Sequence, residues 1–254
     1  MARSLKFLTL LCLGVVASSA FAADPPIKPL NKLLTADEVT MRMVRMNTQR
    51  SRSLQAYEST RVYSLQYHGF PGSRSAEMVV LVKYTAPATK DFTIQSSSGS
   101  KLVIDRVFKK LMESEKEALD SDNQARTALT PANYLFTMLD YVEGSRTERP
   151  MYVLAVEPKT PSKFLYRGKI WVDAEDFAVA RIQAEPAKNP SFWTKNTTID
   201  HHYFKVNDYW FPVSNHSVSE VRLGGHADLK IEYKDYQVTS SRPVPDAAPA
   251  HSAR

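Results

Sequence analysis

The chain has almost no cysteine: among its 254 residues only Cys12 is present. Cys12 lies in an amino-terminal segment of signal-peptide type, with basic residues, an apolar stretch at Leu5–Val16 and a small-x-small pattern at Ala20–Ala22. We therefore predict a signal peptide over residues 1–22 and export of the remainder. The exported part then contains no disulfide, so a hydrophobic core must hold it together.

Long apolar runs and strong charge are also lacking. After Ala22 no apolar run approaches the roughly 20 residues of a transmembrane helix, which predicts a soluble exported chain. Without Arg3 and Lys6 the basic residues number 31 against 27 acidic ones, a net charge of +4. This mild excess is not concentrated into a basic stripe, so nucleic-acid binding is not expected. It is compatible with transient contact with an anionic membrane surface.

Motifs of the common enzyme classes are missing as well. The sequence contains no phosphate-binding glycine loop, no G-x-S-x-G, no H-E-x-x-H and no C-x-x-C, so we predict neither catalysis nor a cofactor nor a metal. One alternative is a metal-dependent hydrolase that uses His201 and His216, which a hairpin register could bring together. The carboxylates of Asp173, Glu175 and Asp176 form either an acid–base cluster or an ordinary turn.

A helix is predicted to begin at Thr35, after a proline-rich leader over residues 23–34. Thr35 and Glu38 have the spacing of a capping box, in which each side chain binds a free backbone N–H of the first turn. One stripe of this helix carries Val39, Met43, Met46 and Arg50. The two methionines favour either simple core packing or a pliant surface for apolar ligands.

In most of the remaining chain, apolar and polar residues alternate with period two, which predicts β-strands. Three strands are expected before a helix at Lys101–Leu119, then a loop at Asp120–Ala132 and six or seven further strands. This order predicts an α+β fold over residues 35–239: one large curled antiparallel sheet, an unclosed β-barrel or half-barrel, with two or more helices covering its concave face. Residues 240–254 are predicted to be a disordered tail.

The segment Phe164–Pro186 predicts a β-hairpin with both faces apolar. With Ala174 and Glu175 as a two-residue tip, Trp171 lies opposite Ala178, and Ile170 and Val172 lie on the other face. Small side chains, those of Ala178 and Ala180, then surround the Trp171 ring, so this face is expected to line a cavity. Arg181 is expected on the Ile170 face, either at its rim or bound to an anionic head group.

A second hairpin is predicted at Ile199–Val213, with Asn207 and Asp208 at its turn. Its pattern Tyr203-x-Lys205-Val206-x-x-x-Trp210-x-Pro212, together with Gly168–Asp173 and Ala180-Arg181, resembles the LolA-like family of periplasmic outer-membrane lipoprotein-sorting proteins. The MucB/RseB amino-terminal domain is similar to that family in fold. The resemblance spans roughly Thr35–Val238. It implies an unclosed barrel with a helical lid and an apolar cavity for acyl chains.

These observations lead to one functional expectation and two alternatives. The expectation is a soluble periplasmic carrier that binds acyl chains of a lipid or lipoprotein, with donor and acceptor proteins in the envelope. The alternatives are a periplasmic sensor or scaffold of MucB/RseB type that binds a partner protein, and the hydrolase named above. The candidate ligand-binding residues are Met43, Met46, Trp171, Ala178, Ala180, Arg181, Tyr203 and Trp210.

Overall fold

A computed structural model describes residues 33–162, 164–188, 194–222 and 224–241. The predicted signal peptide, nearly all of the leader and residues 242–254 of the predicted tail lie outside the described residues. The helices are α1 (Ala36–Ser53), α2 (Lys101–Val103), α3 (Lys109–Glu117) and α4 (Ser121–Thr127), and a π-helical turn, Ile104–Phe108, joins α2 to α3. The predicted loop at Asp120–Ala132 is therefore wrong in part, because it contains α4.

Ten strands make up one antiparallel sheet. They are β1 (Leu54–Gly69), β2 (Arg74–Thr85), β3 (Thr89–Gly99), β4 (Tyr134–Val142), β5 (Met151–Pro158), β6 (Tyr166–Asp173), β7 (Val179–Pro186), β8 (Thr194–Val206), β9 (Tyr209–Val221) and β10 (Gly225–Ser240). Their spatial order is β3-β2-β1-β10-β9-β8-β7-β6-β5-β4, so β3 and β4 are the two edges and the sheet does not close. The predicted α+β class with a large unclosed antiparallel sheet is confirmed.

The start of α1 follows the sequence prediction closely. The Thr35 side chain accepts a bond from the Glu38 N–H, and the Glu38 carboxylate accepts from the Thr35 N–H at 2.8 Å, which completes the capping box. The predicted stripe is buried along its whole length, since Val39, Met43, Met46 and Arg50 are each less than a tenth exposed.

Helix α1 and the α2–α3 segment pack on one face of the sheet, called here the inner face. A single row of directly paired residues crosses it from β4 to β3: Met138, Leu154, Ile170, Ile182, His201, Asn215, Ile231, Tyr63, Met78 and Ser97. Paired residues point to the same face. The β4–β7 members of this row pack with α1, and Ile231, Tyr63 and Met78 pack with Val103, Phe108 and Met112 from the α2–α3 segment. The inner face thus has two apolar clusters with polar residues between them.

The opposite side, the outer face, carries Trp171. The predicted hairpin at Phe164–Pro186 is confirmed, but its register is wrong. Trp171 pairs with Arg181, and the register shifts before Val172 pairs with Val179, so the turn is longer than two residues and Ala180 lies at a bulge. Arg181 consequently lies on the side of Trp171 and not on that of Ile170.

Gly168 allows β6 to lie close to β7. A Cβ atom at this position would lie 2.3 Å from the Gln183 carbonyl oxygen and 2.6 Å from the Ala184 Cα, both of which are backbone atoms. Its φ of +151° is also rare for residues with side chains. Only glycine therefore fits this point of the ladder.

We expect Gly168→Ala to lower the free energy of unfolding by roughly 2 kcal/mol or more, because the clash can be relieved only by moving β7. Urea unfolding monitored by circular dichroism would measure the loss. Gly72→Ala is the matched control, since Gly72 has the same φ of +151° and nothing within 4 Å of its Cβ position. Equal losses in the two variants would contradict the role of close strand approach.

Candidate functional site

An apolar cavity of about 360 Å³ lies between the carboxyl-terminal half of α1 and the inner face of strands β6–β9. Its walls are Asn47, Arg50, Ser51, Leu54, Leu129, Tyr166, Ala178, Val179, Ile182, Tyr203, Tyr209, Trp210 and Phe211. Most of these side chains are aliphatic or aromatic. The volume lies within the usual range of ligand sites, about 300–1,000 Å³.

The sequence-predicted residues divide into three groups. Ala178, Tyr203 and Trp210 line the cavity, so the structure brings them together. Met43 and Met46 lie in the core on the buried side of α1, where they pack with strands that form the cavity floor. Trp171, Ala180 and Arg181 do not line it.

Trp171 and Arg181 instead form a pair on the outer face. The Arg181 guanidinium lies 4.9 Å from the centre of the Trp171 ring and makes two hydrogen bonds, of 2.8 and 2.7 Å, to the Asp200 carboxylate. These bonds raise the pKa of Arg181 and lower that of Asp200. Because Arg181 already contacts the Trp171 ring and binds the Asp200 carboxylate, it fits a structural role in the sheet.

A larger depression of about 890 Å³ lies on the outer face, and its walls include Glu157, Arg167, Glu185 and Asp200. Charged groups are poor walls for an acyl chain because burying them beneath hydrocarbon removes their hydration. The cavity beneath α1 is therefore the better apolar site.

Two tyrosines of the cavity wall, Tyr203 and Tyr166, have raised pKa values. Burial raises the pKa of Tyr203 to about 12, and the pKa of Tyr166 is raised well above its ordinary value for the same reason. Behind Tyr203, the ring of His201 stacks at 4.5 Å, and burial, with the positive charges of His202 and Arg61, lowers its pKa to about 4. His201 is thus an uncharged imidazole at neutral pH.

The turn after β6 contacts the cavity residue Trp210. Asp173 is fully buried, and its carboxylate accepts hydrogen bonds from the backbone N–H groups of Glu175 and Asp176 and from Arg149. Asp176 in turn accepts from the Trp210 indole at 3.0 Å. The acidic cluster is therefore turn chemistry that positions Trp210.

The two-histidine metal site is wrong. His201 pairs with Asn215 on the inner face, and the next residue, His216, points to the outer face, where it contacts Asp228 at 3.0 Å. Within the described residues no group of three His, Cys, Asp or Glu side chains is arranged to hold a metal ion. Nor does any helix in those ranges have the length and apolarity needed to cross a membrane.

Among the cavity residues that the sequence did not indicate as ligand-binding, Arg50 had a recognisable signal and Leu129 had none. Arg50 belongs to the predicted buried stripe of α1, and a charged residue on such a stripe marks a special environment. Leu129 follows α4 in a segment whose polar composition gave no sign of packing, and only the structure brings it to the cavity.

A partly buried ion pair joins the second helical segment to the inner face. The Glu115 carboxylate of α3 accepts from the Arg61 guanidinium at 2.6 and 3.0 Å and from the Lys90 ammonium at 2.6 Å. Burial alone would raise the pKa of Glu115, but these two cations lower it to about 2. The Arg61 guanidinium also lies 5.0 Å from the centre of the Tyr233 ring.

We expect Glu115→Gln to lower the free energy of unfolding at pH 7 by roughly 2 kcal/mol, because Arg61 stays buried without its anion. Glu113→Gln, which removes an exposed carboxylate on the same helix, is the control with a small effect. Since the pKa of Glu115 is lower in the folded state, its contribution is complete above about pH 4.5 and disappears as the pH falls toward 2. Urea titrations across this range should show a weaker acid dependence in Glu115→Gln, and identical profiles would contradict the assignment.

Comparison with known proteins finds similarities only among solved structures. No protein-family model matches it. No curated protein matches it in sequence. Among solved structures it is similar to a domain described as an outer membrane lipoprotein-sorting protein from Vibrio parahaemolyticus, with 11% identity, 82% of this chain and 95% of that chain covered, and a TM-score of 0.39.

Two further solved structures are similar over most of their length. A LolA superfamily protein from Nitrosomonas europaea shares 9% identity, with 82% of this chain and 94% of that chain covered and a TM-score of 0.33. The MucA/MucB complex of Pseudomonas aeruginosa matches with 8% identity, 82% and 98% coverage and a TM-score of 0.27. With identities this low and TM-scores below 0.5, the function must be inferred from the residues of this chain.

Proposed function

We propose that the protein is an exported periplasmic carrier that shields an acyl chain of a lipid or lipoprotein during transit across the envelope, without catalysis. The observation that supports this most directly is the cavity beneath α1, whose walls are largely aliphatic and aromatic. A carrier needs buried apolar area and an adaptable wall more than it needs reactive groups.

The energetics of an acyl chain suit such a cavity. Each methylene group removed from water contributes about 0.8 kcal/mol, so a sixteen-carbon chain offers on the order of 12 kcal/mol before the costs of ordering. Met43 and Met46 pack beside the cavity on α1, and their unbranched side chains can repack around chains of different length. Transfer to and from a donor and an acceptor in the envelope requires only that α1 and the sheet separate transiently.

A second candidate function, a scaffold that binds a partner protein, is favoured by the edge strand β4. Three of its apolar side chains, those of Leu135, Leu139 and Val142, are 58%, 48% and 43% exposed. An extended partner segment could add to this edge by backbone hydrogen bonds. A double variant, Leu135→Lys with Leu139→Lys, distinguishes the two functions. A carrier would still bind its lipid, whereas a scaffold would no longer bind its partner.

The carrier hypothesis predicts that the protein, exported and purified without detergent, contains bound lipid or takes it up when lipid is added. Native mass spectrometry would detect the complex and its stoichiometry. A protein that neither retains nor takes up any acyl compound would refute the proposal.

Filling the cavity should abolish this binding. We expect Ala178→Phe to weaken acyl-chain binding at least tenfold, because the new ring occupies space that the ligand needs. Ala180→Phe, at the bulge two residues away and outside the cavity wall, is the matched control with little effect. Trp171→Glu on the outer face should also leave binding unchanged, and a loss of binding there would move the site to the other face of the sheet. Near-UV circular dichroism checks that each variant keeps its tertiary packing.

A further inference from the structure

The cavity contains one buried cation, Arg50, in the last turn of α1. Only 7% of this residue is exposed, and it lines the cavity together with apolar and aromatic groups. Nη1 donates to the Asn47 Oδ1 at 3.2 Å, and Nη2 donates to the backbone carbonyl oxygen of Asp176. Both acceptors are uncharged.

Arg50 makes no ion pair with a carboxylate within the described residues. The carboxylates of Asp176 and Asp173 are engaged elsewhere: that of Asp176 binds Lys205 at 2.9 Å and Trp210 at 3.0 Å, and that of Asp173 binds Arg149. Arg61, the other arginine that is more than nine-tenths buried, has the Glu115 carboxylate as a partner. Arg50 therefore lacks the carboxylate partner that Arg61 has.

A buried cation without an anionic partner is costly because its lost hydration is not replaced. Burial lowers the pKa of Arg50 below its ordinary value, although the negative charges of Asp176, Asp173 and Asp208 oppose this shift. The carbonyl dipoles at the carboxyl-terminal end of α1 offset part of the cost. An anion that enters the cavity would complete the pairing in a dry environment, where a charge-assisted hydrogen bond is strong.

We propose that the cavity binds an acyl ligand with an anionic head group, a carboxylate or a phosphate, which pairs with the Arg50 guanidinium while the chain lies against the aromatic wall. This inference rests on the proposed carrier function and narrows its ligand class. An acyl chain attached through a neutral ester or amide has no charge to offer Arg50, so a free fatty acid or an anionic phospholipid fits better than the acyl group of a lipoprotein. The planar guanidinium suits either oxyanion, since both accept two parallel N–H bonds.

The test uses three probes of equal chain length: dodecanoate, monododecyl phosphate and dodecanol. Their dissociation constants for the delipidated full-length exported protein can be measured by displacement of a fluorescent fatty acid at pH 7. We expect at least one anionic probe to bind tenfold or more tightly than dodecanol. Tighter binding of dodecanoate would indicate a carboxylate head group, and tighter binding of monododecyl phosphate would indicate a phosphate head group.

Variants then assign the preference to one residue. Arg50→Met should reduce the preference for the anion to less than threefold while dodecanol still binds. Arg52→Met removes the same charge from an exposed position in the same helical turn and should retain the full preference. Circular dichroism and thermal unfolding verify the fold, and if Arg50→Met does not fold, the three probes on the unmodified protein decide the question alone.

The outcomes separate this inference from the carrier function. Equal binding of dodecanol and both anions would overturn the anionic ligand class and leave an acyl carrier in place. An undiminished preference in folded Arg50→Met would overturn the pairing of the head group with Arg50. Failure of all three probes to bind would overturn both proposals.

Discussion

The pairing of β1 with β10 is the contact on which the rest of the fold depends. It joins Leu54–Gly69 to Gly225–Ser240 along almost the full length of both strands. Without it, the chain would form two separate meanders, β1–β3 and β4–β10, each with an additional unpaired edge. Because α1 ends directly before β1, this pairing also fixes where the helix can lie on the inner face. The position of the cavity beneath α1 therefore depends on the pairing of β1 with β10, which are far apart in the sequence.

The inner face is not uniformly apolar, and this shapes what the protein can bind. His201 and Asn215 occupy the centre of the paired row between the two apolar clusters, and buried atoms of both side chains have no hydrogen-bonding partner among the described residues. Glu115 neutralises part of the charge of Arg61 and Lys90 on one side. On the other side Arg50 borders the cavity without an anion. Apolar side chains thus form most of the cavity wall, and the few buried polar groups determine which ligands suit it.

Much of the fold could be predicted because it depends on local chemistry. The Thr35–Glu38 capping box, the buried stripe of α1 and the Asn207-Asp208 hairpin turn each involve residues close together in the chain. The hairpin at Phe164–Pro186 was also predicted, but the predicted register, with Trp171 opposite Ala178, was wrong. A bulge at Ala180 changes the pairing by one residue, and because side chains alternate with period two, this moves Arg181 to the opposite face. Of the eight predicted ligand residues, Ala178, Tyr203 and Trp210 line the cavity.

The sequence by itself determined the helix start, the strand periods and the presence of apolar surface on both faces of the central hairpin, since these follow from capping, alternation and composition. Only the tertiary structure decided which face is covered. Trp171, the residue most suggestive of a ligand site, lies on the outer face against Arg181, whereas the cavity lies on the side of Ile182. The physical reason is that strand register depends on backbone geometry and long-range pairing, and the same apolar pattern is compatible with either register.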